Sequence, residues 1–124
     1  GLLPDLINYA PPPPNFLSKQ GKVLYQDITS ELLAKRIIEK SDIALVVSFC
    51  QAMSLHLSLE AKMGMNRTIT TDKGEVKINP DHRASMDALD KAMRISSEFG
   101  FTPFSRQRLI YQADKKNNTD DDFT

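Results

Sequence analysis

The sequence predicts a mainly α-helical domain with a long central helix, a small β-hairpin and a short C-terminal helix. Three observations carry that prediction. Apolar residues recur every four positions at Leu24, Ile28 and Leu32. Ser41 to Met63 is a long segment that is apolar over most of a helical circumference. Between Arg67 and Asn79, β-branched residues alternate on either side of a turn containing Gly74.

The first helix is expected from about Ser18 to about Ala34, with Tyr25 beside the apolar stripe. Gly21 sits on that stripe and weakens the helix by about 1 kcal/mol relative to Ala, a cost that a close helix neighbour would explain. Ahead of it, residues 1–14 end in four consecutive prolines, Pro11 to Pro14, and read as an extended, polyproline-like arm preceding the domain. After a connector from Arg36 to Lys40, Ser41 is the expected N-cap of the long helix, with Asp42 in its first turn.

That helix carries two apolar rows. Ile43, Val46, Val47, Cys50, Met53 and Leu57 form one; Leu45, Phe49, Ala52, Leu59 and Met63 form the other. Only Ser48, Gln51, Ser58 and Lys62 make a strip suited to water. A chain of 124 residues has few elements to cover both rows. Self-association is therefore expected, larger than a dimer, with Leu45, Phe49, Leu59 and Met63 as the candidate interface. Gly64 ends the helix. Asn79 and Pro80 then supply an N-cap and a first-turn proline for a helix running to Phe99, with Ala88, Ala92 and Ile95 on its inner row. Gly100 stops it, and Thr102-Pro103 restarts the chain as a short helix to about Tyr111. The domain is placed at 15–112, and 113–124 reads as an acidic flexible tail, dispensable for folding.

Composition narrows the function. The longest unbroken apolar run, Ile43 to Val47, is far too short to cross a bilayer, and the first residues lack a signal-peptide layout; the reading is cytoplasmic, with no membrane partner. Cys50 is the only cysteine, so no intrachain disulfide and no Cys-based zinc site can form. His56 and His82 lie on different helices without ligand partners at metal-binding spacing, and the isolated glycines form no phosphate loop. No catalytic residue, metal or cofactor is expected. Lys plus Arg and Asp plus Glu both number 16, so the net charge is 0 and any phosphate-binding surface must be local. From Asn15 to Gln112 there are 14 basic and 11 acidic residues, a body charge of +3.

Asp42, Cys50, Gly64, Gly74, Asn79-Pro80 and Gly100-Phe-Thr102-Pro103-Phe-Ser105-Arg106, followed by Arg108-Leu109, form an ordered set of landmarks. Over about Pro14 to Leu109 this set resembles the small-subunit family of phage terminases, the group often encoded beside an HNH endonuclease in cohesive-end phages. The Gly-x-Thr-Pro-x-Ser-Arg stretch is its most specific element. The chain departs from the pattern at Gly21, where relatives carry a small helix former, and near Glu39, where they carry a Thr cap.

The resemblance implies a non-enzymatic, ring-forming homo-oligomer in the cytoplasm of the infected bacterial host. It would bind double-stranded viral DNA at the packaging site and present it to the large ATPase and nuclease subunit, with the HNH endonuclease as a further partner. The densest basic group for such a role is Lys19, Lys22, Lys35, Arg36 and Lys40; Arg67, Lys73 and Lys77 on the hairpin form a sparser second. Two rival readings remain, a helical DNA-binding transcription regulator and a non-catalytic interaction protein. The first requires a basic recognition helix, for which Ser41 to Met63 is too long and too apolar.

Overall fold

The structure is a computed structural model, and it describes residues 5–98. Three helices and one hairpin follow in chain order: α1 (Lys19–Ala34), α2 (Asp42–Met63), β1 (Thr68–Thr70), β2 (Val76–Ile78) and α3 (Pro80–Glu98). The mainly helical architecture with a small antiparallel hairpin matches the expectation. The second short helix, Thr102 to Tyr111, and the acidic tail lie outside the described residues.

α2 is the central element, packed against α1 on one side and α3 on another. Tyr25, Ile28 and Leu32 from α1, Val46, Phe49, Cys50, Ala52 and Met53 from α2, and Ala92 from α3 form the core, closed by Leu17 and Ile38. Each large apolar side chain taken out of water here contributes about 1.5–3 kcal/mol. By length and composition α2, with a mean hydropathy of 1.5 over its most apolar window, could cross a membrane, which the run Ile43 to Val47 does not reveal. Its burial between two helices is partial, covering 39% of that window. Cys50 is fully buried there, and burial first, with the Asp27 charge second, pushes its thiol up to about 12.

Gly21 marks the closest approach of α1 and α2. A Cβ on Gly21 would lie 3.0 Å from Ser54 Oγ, 3.2 Å from Ser18 Oγ and 3.6 Å from the Cys50 carbonyl. The helix neighbour expected from the sequence is thus α2. Ser18 caps α1, its Oγ accepting from the Gly21 N–H at 3.0 Å.

Ser41 does not cap α2. Its backbone is already helical and its side chain makes no capping bond, whereas a capping side chain works from an extended backbone. The Asp42 carboxylate instead reaches back to accept the Glu39 N–H at 2.9 Å.

The proline arm, expected to precede the domain, is fastened to it. An antiparallel bridge joins Leu6 to Glu39, with Ile7 N–H donating to the Ile38 carbonyl at 3.1 Å and Lys40 N–H to the Asp5 carbonyl at 3.0 Å. Proline cannot donate a backbone hydrogen bond but it can accept one. The buried Tyr25 hydroxyl uses this, donating to the Pro11 carbonyl at 2.7 Å.

Glycine serves its expected role at Gly64 (φ 55°), where α2 stops, and at Gly74 (φ 83°) in the hairpin turn. The hairpin register pairs Thr68 with Ile78, Ile69 with Lys77 and Thr70 with Val76. Asn79 opens α3 as anticipated, its Oδ1 accepting the Asp81 N–H at 3.0 Å. The inner face of α3 is built from small residues, Ser85, Ala88, Ala92 and Ser96, which let its backbone lie close to α2.

Candidate nucleic-acid interface

The basic residues singled out in α1 and the connector do not form one patch. Lys19 and Lys22 lie one turn apart at the start of α1, and Lys35 and Arg36 at its end. Thirteen residues separate Lys22 from Lys35, about 20 Å of helix axis at 1.5 Å per residue. The denser end is the C-terminal one, where Lys35, Arg36 and Lys40 are all exposed. Lys35 pairs with Glu31 across one turn at 2.8 Å. Arg36 has φ 55°, the left-handed residue that ends the helix, and its N–H donates to the Leu33 carbonyl at 3.0 Å. With Leu33 and the arm residues Leu6, Ile7 and Asn8 it lines an open cavity of about 620 Å³. Cations at this end also complement the helix dipole.

The hairpin group divides differently. Lys73 is exposed in the turn, and Lys77 is exposed on β2. Lys77 lines a groove of about 610 Å³ with Ile78, Pro80, Arg83, Ala84 and Asp87. Arg83 is a cation that the sequence reading passed over, because nothing in the spacing of residues 77 and 83 shows that α3 folds back beside β2. Arg67 turns out to be occupied. Its guanidinium grips the Glu60 carboxylate at the end of α2 through both amino groups, one of them at 3.2 Å.

Glu60 is the centre of a polar clamp. It also accepts from Ser85 Oγ on α3 at 2.9 Å. His56 Nδ1 lies 3.1 Å from the Ser85 carbonyl and 2.9 Å from its hydroxyl. Since a carbonyl can only accept, Nδ1 carries the proton, and the Ser85 hydroxyl is left to donate to Glu60. His82 Nδ1 sits 3.5 Å from Arg67 Nη1. The clamp thereby joins α2, β1 and α3, and the Lys62 to Asp81 pair at 3.0 Å lies across the same junction. Both histidines are half-buried. Among the described residues no group of three or more His, Cys, Asp or Glu side chains could hold a metal.

The Arg67 hydrogen bond, then that of Ser85, holds the Glu60 carboxyl below the usual carboxylate range. A depressed folded-state pKa adds stability above the ordinary range and loses it as pH falls through the folded value. The urea midpoint of the wild type should therefore drop more between neutral pH and pH about 3 than that of Glu60→Gln, with the difference confined to the acid side of the ordinary glutamate pKa of about 4.3. Parallel curves for the two proteins would show that the clamp carries no titrating stability.

The four interface candidates on α2 separate on inspection. Phe49 and Met63 are each 3% exposed and belong to the chain's own interior, so they offer no surface to a partner. Leu45 and Leu59 are half-buried and remain accessible. Leu55, assigned to neither row from the sequence, is 49% exposed.

Together these features define a small helical domain with dispersed basic groups and an exposed hairpin. A family model described as phage terminase, small subunit, matches residues 21–116, so the chain belongs to that family. The matched span includes the Gly100 to Arg106 motif, which lies outside the described residues. No curated protein and no solved structure matches the chain. Membership places the protein in phage genome packaging within the infected host, alongside viral DNA and a large terminase subunit, in a family that is generally non-catalytic.

Proposed function

We propose that this chain assembles into a homo-oligomer larger than a dimer, binds double-stranded DNA at the packaging site, and presents it to the large ATPase and nuclease subunit. Family membership over residues 21–116 is the observation that carries this reading. The Lys35, Arg36 and Lys40 end of α1 is the proposed phosphate contact, with Lys73, Lys77 and Arg83 as the alternative surface. Each patch is small, and a body charge of +3, from 14 basic against 11 acidic residues between Asn15 and Gln112, gives one subunit little long-range pull. Repetition around an assembly multiplies such contacts through effective concentration. An HNH endonuclease is a further proposed partner, and the acidic segment from Asp114 is proposed to contact the large subunit or to restrain DNA binding.

Two measurements test the proposal together: absolute mass by light scattering, and titration of packaging-region duplex at several salt concentrations. Several chains per particle and an affinity that falls steeply with salt are expected. A stable monomer, or the absence of duplex binding at low salt, would overturn it.

A further inference from the structure

The three faces of α2 have different fates. α1 packs on the face of Cys50 and Ser54, as the contacts at Gly21 show. α3 packs on the face of His56 and Glu60, through Ser85. At about 100° per residue, Leu55 points roughly 120° away from each. That third face carries Leu55 at 49% exposure and the half-buried Leu59, bordered by Gln51, Ser58 and Lys62.

A second apolar surface stands on the hairpin that follows α2. Every residue of both hairpin strands is exposed. The register puts Thr68, Thr70, Val76 and Ile78 on one face. Val76 is 69% and Ile78 55% exposed, and Met65, three residues before β1, is 94% exposed, whereas Ile69 lies on the opposite face. At those exposures the three residues present roughly 400 Å², the scale of patch that marks an interaction surface and about half of the roughly 800 Å² that one partner gives to a stable interface. A two-stranded hairpin with no core beneath it is marginal unless something packs on it.

We propose that the Val76 and Ile78 face of the hairpin docks on the Leu55 and Leu59 face of α2 in a second copy of this chain. The two surfaces are both apolar, and each has a polar rim: Thr68, Thr70 and Glu75 on the hairpin, Gln51, Ser58 and Lys62 on α2. At that rim Glu75, 3.9 Å from Lys77 in its own chain, meets Lys62, whose own-chain partner is Asp81 at 3.0 Å. Among the described residues a single chain exposes both halves of the contact, so each copy gives its hairpin to one neighbour and receives another's on α2. Such a head-to-tail contact buries both surfaces at once when the set of copies closes. The inference rests on the self-association proposed above and names its contact.

The test uses two full-length variants, Val76→Asp/Ile78→Asp and Leu55→Asp, all at exposed positions, so the helical circular dichroism signal should stay at the wild-type level. Each variant should scatter as a single chain of 13.9 kDa. Mixed in equal amounts they should form particles of twice that mass, because the intact hairpin of the Leu55→Asp chain fits the intact α2 of the other. A wild type that is itself monomeric would remove the parent reading. If the wild type assembles, an unchanged mass for either variant, or a mixture that stays monomeric, would overturn the hairpin-to-α2 contact and leave the parent reading standing. Unchanged mass with lost DNA binding in the hairpin variant would assign that face to DNA instead.

Discussion

Replacing Lys35, Arg36 and Lys40 together by Ala should weaken duplex binding by on the order of 100-fold at 0.1 M salt, because each lost phosphate contact removes about 0.9 from the slope of log affinity against log salt. The slope itself should flatten by between two and three. Stability should change little: the Lys35 to Glu31 pair is exposed, and such pairs are worth at most about 1 kcal/mol. Light scattering and circular dichroism on the triple variant exclude a collapse of the assembly or of α1. Unchanged affinity and slope would move the contact to the groove flanked by Lys77 and Arg83, where the same experiment with Lys73, Lys77 and Arg83 follows. Arg67 belongs in neither set. Its guanidinium is held by Glu60, so Arg67→Ala should lower stability rather than reduce the salt slope.

Gly21→Leu should destabilise the fold by about 3 kcal/mol or more, since side-chain atoms beyond Cβ must enter the space between Ser54 Oγ and the Cys50 carbonyl of α2. Gly21→Ala should behave otherwise. Alanine gains about 1 kcal/mol of helix propensity. Against that gain, the two serine hydroxyls at 3.0 and 3.2 Å must yield by a few tenths of an ångström, so the net change should stay within about 1 kcal/mol. Removing the obstructing hydroxyl with Ser54→Ala should make Gly21→Ala more favourable than it is in the wild type. Urea unfolding of the four proteins in that cycle measures the coupling. A Gly21→Leu protein as stable as the wild type would show that α1 and α2 do not cross closely at this residue.

The elements themselves were legible because their signals are local. Leu24, Ile28 and Leu32 declare a helix, Gly64 and Gly74 take left-handed backbone where helix and strand end, and Asn79 with Pro80 opens α3. The cap at Ser41 was misread because a serine beside an acidic residue looks like an N-cap whatever its backbone does. There the turn from Glu39 had already started the helix, and Asp42 satisfied the free N–H instead. The candidate surface was legible only as a set of cations. Its division into two ends of α1 follows from helical rise, whereas the inward pull on Arg67 follows from a carboxylate seven residues earlier that no spacing rule connects to it.

What the sequence by itself determined is the inventory: the three helices that lie among the described residues, a hairpin, an over-apolar central helix, scattered basic groups and the landmarks that resemble the terminase family; the fourth expected helix, 102–111, lies outside those residues. What only the tertiary structure decided is how that inventory is used. Gly21 became the crossing point of α1 and α2, Ser85 and Ser96 became buried helix contacts, and the arm became a strap held by Tyr25. The two apolar rows of α2 were also redistributed, with Phe49 and Met63 claimed by the interior while Leu57, and Leu55 from outside both rows, were left exposed. Periodicity fixes which side chains share a face of a helix, since that depends on rotation per residue. Which face meets a neighbour depends on where the other helices cross and end, and that is settled by contacts between residues far apart in the chain.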